Sequence, residues 1–167
     1  SFDPDQLLQE LETKAIRMAE RKYTHTLEDL HNDNIVDWLR DKGFVASDQT
    51  RSGKSTLTAG EVDIMIRSID GRPQAIIEAF RVKSCGPNNT VISSHINKLL
   101  HNYDTVGHPV NFIIVYSEGK NFSQFWSNYI DYIDNLNSKA DFHGEHKLIS
   151  FIDTGMTAVT GVKIGLA

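Results

Sequence analysis

Apolar residues recur at helical spacing near the start of the chain, where Leu7, Leu8, Leu11, Ala15, Met18 and Ala19 stand among charges and predict a helix over residues 5–23. A second stripe, Leu27, Leu30, Ile35, Trp38 and Leu39, predicts a helix that opens at Thr26, with Asp29 three residues on as in a shortened capping box, and stops at Gly43. After a short strand at 44–48 and a polar loop at 49–59 come two apolar runs, Val62 to Ile66 and Ala75 to Phe80. The connection between them carries Asp70-Gly71, a strong turn signal, so the two runs read as an antiparallel hairpin. A third helix follows over 91–103 with Ile92, Ile96, Leu99, Leu100 and Tyr103 inward and His95, Lys98 and Asn102 sharing another face. Gly107-His108-Pro109 breaks the chain before a central, doubly buried strand at 110–116. An aromatic-rich amphipathic helix at 122–136, a strand at 147–152 and a last edge strand at 160–166 complete the pattern. This order predicts an α/β three-layer sandwich: a mixed central sheet in which a hairpin leads into crossover-linked strands, with helices on both faces.

At 167 residues and 18.8 kDa the chain is long enough for one domain with a real core, divided into an N-terminal helix (5–23), a core unit (26–116) and a C-terminal helix with strands (117–167). Its 40% hydrophobic and 23% charged residues are ordinary for a globular protein. No apolar run approaches the roughly 20 residues of a membrane span, so no membrane partner is expected, and no signal peptide opens the chain. The single cysteine, Cys85, excludes an internal disulfide and a cysteine-based zinc cluster, which favours a reducing, cytoplasmic setting. A start at Ser1-Phe2-Asp3 without methionine suggests a domain taken from a longer polypeptide. A net charge of −5 with a pI near 5.8 argues against a nucleic-acid footprint over the whole surface, but a local one is compatible with it.

Each run of the hairpin carries one acid, Asp63 in the first and Glu78 in the second. Side chains alternate along a strand, so the register decides whether the two carboxylates share a face. If they do, they form an oxygen site suited to a hard divalent cation. Glu61 falls on the face of Asp63, where an edge charge is the simpler reading, and Arg67 falls there too, so an ion pair with Asp63 is the competing account. Glu28 lies in the first turn of the second helix, where an acid also complements the helix dipole. Gly53-Lys54-Ser55 matches the tail of a phosphate-binding loop, but the glycine that motif needs five residues earlier is Asp48, and a strand rather than a helix follows. Arg51 and Lys54 remain as candidate phosphate contacts.

With these residues in place, the chain resembles the PD-(D/E)xK phosphodiesterase superfamily, the restriction-endonuclease-like fold, over roughly residues 26–116. In that superfamily a helix glutamate, a strand aspartate and an acid on the next strand bind Mg²⁺, with a lysine two residues beyond the last acid. Glu28, Asp63 and Glu78 match those acids, and Phe80 stands at the lysine position. Arg81 and Lys83 point to the opposite face, so Lys98 on the third helix is the expected substitute and His95 a second candidate, as a nucleic-acid contact. The resemblance implies a Mg²⁺- (or Mn²⁺-) dependent nuclease with Glu28, Asp63, Glu78 and Lys98 as catalytic residues. It implies DNA rather than RNA as substrate, an effector module of a larger bacterial protein, and a homodimer for which the aromatic helix over 122–132 reads as interface as readily as core. Two other readings stand beside it: a degenerate nuclease fold kept as a nucleic-acid-binding or protein-assembly module, and a regulatory domain whose acids are simply ion-paired.

Overall fold

The computed structural model describes residues 2–20, 28–48, 63–104, 106–118, 121–135, 146–152 and 158–164, with 19–20, 28–29, 134, 146–152 and 158–164 described as backbone. Thr26, Arg51, Lys54 and Glu61 lie outside the described residues.

Helices α1 (Pro4–Glu20) and α2 (Glu28–Asp41) open the chain. Pro4 sits at the first helical position, where its missing N–H costs nothing, and the Asp3 carboxylate accepts the Asp5 N–H at 2.9 Å. The two helices are tied together by the Trp38 indole, whose N–H donates to the Glu10 carbonyl at 3.1 Å. Gly43, at φ +90°, ends α2: the left-handed turn lets the Phe44 N–H reach back to the Leu39 carbonyl at 3.0 Å.

Among the described residues six strands follow: β1 (Val45–Asp48), β2 (Ile64–Arg67), β3 (Pro73–Val82), β4 (Asn111–Ser117), β5 (His146–Ile152) and β6 (Ala158–Ile164), in the spatial order β1-β2-β3-β4-β6-β5. β1, β2 and β3 form an antiparallel meander, and β3 pairs with β4 in parallel. The sheet is therefore mixed, and the protein is of the α/β class. The β2–β3 turn holds Gly71 at φ +89°, beside Asp70 as the Asp-Gly signal predicts. The strand expected at the sheet edge near 160–166 lies inside instead: β6 inserts between β4 and β5, and β5 takes the edge. A hairpin can join a sheet through either of its strands, and short alternating runs do not say which.

The crossover from β3 to β4 starts with helix α3 (Val91–Lys98) and continues as a π-helical turn, Leu99–Tyr103, so the single helix expected over 91–103 changes its winding partway. The Asn89 carboxamide starts α3 by accepting the Ile92 N–H at 3.1 Å. Helix α4 (Phe122–Asp134) is capped by Asn121, which accepts the Gln124 N–H at 3.0 Å.

Strand alternation divides the core in two. Leu7, Leu11, Ile35, Val36 and Leu39 of α1 and α2 meet Ile64, Ile66, Ala75, Ile77 and Ala79 on one face of the sheet. Ile92 and Ile96 of α3 and Phe122, Phe125 and Tyr129 of α4 meet Met65, Ile76, Phe80 and Val82 on the other. Helices thus cover both faces, because β3 and β4 are apolar on both sides.

Candidate functional site

Glu78 lies between Ile76 and Phe80, both of which face α3 and α4, so its side chain belongs to that layer. Asp63, two residues before Met65, has the same parity. The pairing of Ile64 with Ile77 carries the register one step outward to Asp63 opposite Glu78. Asp63 sits just before β2, and its Oδ2 accepts the Ala79 N–H at 2.8 Å. The carboxylate occupies the place of a ladder carbonyl and is held on the β3 backbone next to Glu78.

Glu78 itself is enclosed, with 3% of its side chain exposed. Its Oε1 lies 2.7 Å from His95 Nδ1. Where the carboxylate is ionised it only accepts, and Nδ1 is then the donor. Its Oε2 is buried and accepts no hydrogen bond among the described residues. The His95 ring lies flat on Phe80, centroids 4.1 Å apart and planes within 9°. One ring face is covered and Nδ1 is engaged, yet 26% of the side chain remains exposed, and Nε2 is not among the enclosed polar atoms.

The other candidates are placed differently. Glu28 is the first residue of α2, the helix whose buried side packs on the opposite face of the sheet from Glu78. Lys98 closes α3 one turn past His95, is exposed, and makes no ion pair with Asp63 or Glu78 among the described residues. Arg67 turns away into the hairpin and donates from Nη1 to the Gly71 carbonyl at 3.0 Å. Arg81 faces the α1–α2 side, as alternation requires, and pairs with Glu118 at 3.2 Å. Among the described residues no group of three or more His, Cys, Asp or Glu side chains converges on a metal-sized site. The candidate oxygen ligands there are Asp63 and Glu78.

Two buried polar clusters escaped the sequence reading. Asp104, His108 and Asn111 form a network at the entry to β4: the Asp104 carboxylate accepts the His108 N–H at 2.9 and 3.0 Å, meets His108 Nδ1 at 2.6 Å and accepts the Asn111 amide at 2.8 Å. Burial alone would raise the Asp104 carboxyl, but the donors of His108 and Asn111 outweigh it and hold it below the ordinary carboxylate value. On the other face, His31 stacks on Tyr116 at 4.6 Å, and the Tyr116 hydroxyl donates to Asn32 Oδ1 at 2.8 Å. Burial lowers His31; the nearby Glu118 charge opposes this and Arg81 reinforces it. The i, i+4 spacing of Asp104 and His108 was visible in the sequence, but around Gly107-His108-Pro109 it read as a chain break.

Cys85 is buried among the residues beneath α3 and α4, and burial pushes its thiol up to about 11. It is expected to resist an aromatic disulfide reagent at neutral pH while the protein is folded and to react fully in denaturant; rapid labelling of the native protein would contradict the burial.

Comparison with known proteins adds no relative: no family model, no curated protein and no solved structure matches this chain.

Proposed function

We propose that the chain is a restriction-endonuclease-like domain, a divalent-metal-dependent phosphodiesterase acting on DNA as a cytoplasmic module of a larger bacterial protein. The observation that carries this reading is the acid pair. Asp63 and Glu78 share a face of adjacent strands, and neither serves a purely apolar core, where an enclosed carboxylate is costly. The element order α2-β1-β2-β3-α3-β4 is the one on which the resemblance rests.

The residues present fit a cation. Glu78 Oε2 is an enclosed carboxylate oxygen with no hydrogen-bond donor among the described residues, and such an atom favours a positive charge beside it. Asp63 and Glu78 would hold the ion, which when bound supplies charge to the phosphate oxygens and acidifies a water. The chain's own contribution is to fix the acids: Asp63 through the Ala79 N–H and Glu78 through His95. His95, partly open to solvent and 2.7 Å from Glu78, is a polar side chain that an approaching phosphate would meet.

One observation favours the second reading, a degenerate nuclease fold kept as a nucleic-acid-binding or protein-assembly module. Phe80, at the lysine position, is fully buried in the core and contributes no cation to the acids. The two readings separate in calorimetric titration of Mn²⁺ into the wild type and Asp63→Ala, with a plasmid-cleavage assay on both. Binding and cleavage in the wild type, both lost in the variant, are the expected result. A folded wild type that takes up Mn²⁺ but leaves DNA intact under Mg²⁺ or Mn²⁺ would assign the domain to the second reading.

A further inference from the structure

The contacts around Glu78 are more specific than an acid pair requires. Nδ1 of His95 occupies Oε1, the same imidazole lies flat on Phe80, and Oε2 is left enclosed and unbonded among the described residues. An imidazole on a solvent-facing helix has several rotamers, and stacking at 4.1 Å with planes within 9° selects one of them. That rotamer aims Nδ1 at a carboxylate from another element, 17 residues away in the chain. The bond in turn fixes the carboxylate, because a glutamate with one oxygen held by a short charge-assisted hydrogen bond no longer rotates freely about its last torsion.

We infer that Phe80 and His95 are positioning residues for Glu78: Phe80 holds the imidazole flat, the imidazole takes Oε1, and Oε2 becomes the single Glu78 oxygen offered to a divalent cation. This rests on the proposed metal-dependent function and specifies how the site is built. Phe80 is then not simply the residue that displaced a strand lysine. It is the platform on which α3 delivers a donor to the same carboxylate, and Glu78 acts as a one-oxygen ligand rather than a bidentate one. Outer contacts of this kind orient ligands and tune the charge on them, and losing one typically weakens metal affinity about 10–100-fold.

The test is calorimetric Mn²⁺ affinity of the full chain for the wild type, His95→Ala, His95→Asn, His95→Gln and Phe80→Leu, with a thermal melt of each and cleavage recorded alongside. The asparagine amide nitrogen falls close to the place of Nδ1 and keeps the donor to Oε1, whereas glutamine carries its amide past it. The expected result is a loss of about 10–100-fold in His95→Ala and His95→Gln, recovery in His95→Asn, and a smaller loss in Phe80→Leu, which keeps apolar volume but no flat ring. If His95→Ala does not fold, the asparagine and glutamine variants decide. Equal affinity in wild type, His95→Asn and His95→Gln overturns the inference and leaves the proposed function standing. The expected series without any cleavage keeps the inference and overturns the nuclease. A wild type that binds no Mn²⁺ overturns both.

Discussion

Asp104→Ala is expected to lower the unfolding free energy by several kcal/mol, about 1–3 kcal/mol for each buried donor it leaves unsatisfied. The carboxylate is 1% exposed and satisfies the His108 backbone N–H, the His108 ring and the Asn111 amide at once. Asn111 passes the connection on, accepting the Ile76 N–H at 3.1 Å, so the end of the π-helical turn, the start of β4 and the middle of β3 are joined through one acid. His108 is itself buried, and water cannot replace what it loses. Denaturant titration measures the loss, and a change within about 0.5 kcal/mol, typical of a surface substitution, would refute the account. Asp104→Asn keeps the shape with one acceptor fewer and should lose less. The pair of variants also reads out pH. The folded carboxyl releases its proton at lower pH than the unfolded one, so the unfolded chain binds more protons in that window and stability rises with pH through it. Its contribution is complete above the ordinary value of 3.8 and is lost as pH falls through the lower folded-state value. The asparagine variant should lack that part of the acid dependence.

Glu78→Leu should move the other way in stability while losing the cation. Replacing a whole buried ion pair by apolar residues of similar volume is commonly neutral or stabilising by about 1–4 kcal/mol, whereas removing one partner costs stability when the other stays enclosed. The usual penalty for the abandoned partner is small here, because His95 is 26% exposed where His108 is enclosed, and its Nδ1 can turn to water. Two acid–histidine pairs of similar length, 2.7 and 2.6 Å, therefore have opposite expected signs on removal, and the exposure of the histidine is the reason. Chemical denaturation with Mn²⁺ calorimetry on the same variant checks both halves. A gain in stability with loss of binding marks Glu78 as a residue kept for function at a cost to the fold. A loss of several kcal/mol in a protein that takes up no Mn²⁺ even as wild type would make the pair structural.

Much of the framework was legible in local pattern. The stripe through Leu7, Leu11 and Met18, the Asp70-Gly71 turn and the unbroken apolar run into Tyr116 each predict an element that is present, because helix periodicity, turn chemistry and double burial act over a few neighbouring residues. The acids inside the hairpin runs stood out by the same rule, a charge where an apolar residue was due. What fell short involved distant partners. The place of β6 depends on which hairpin strand meets β4, and the change of helical winding at Leu99 belongs to the crossover as a whole.

The amino-acid order alone thus determined the mixed α/β character, the hairpin and the two acids that make it unusual. Only the tertiary structure decided what those acids touch. Register placed Asp63 opposite Glu78, and the crossover laid His95 across Phe80 onto Oε1. It also turned a Gly-Pro break into the seat of the Asp104 network and left α2, with Glu28 at its start, on the far layer. These are contacts between residues tens of positions apart, set by how the layers stack, and no short window of sequence contains both partners.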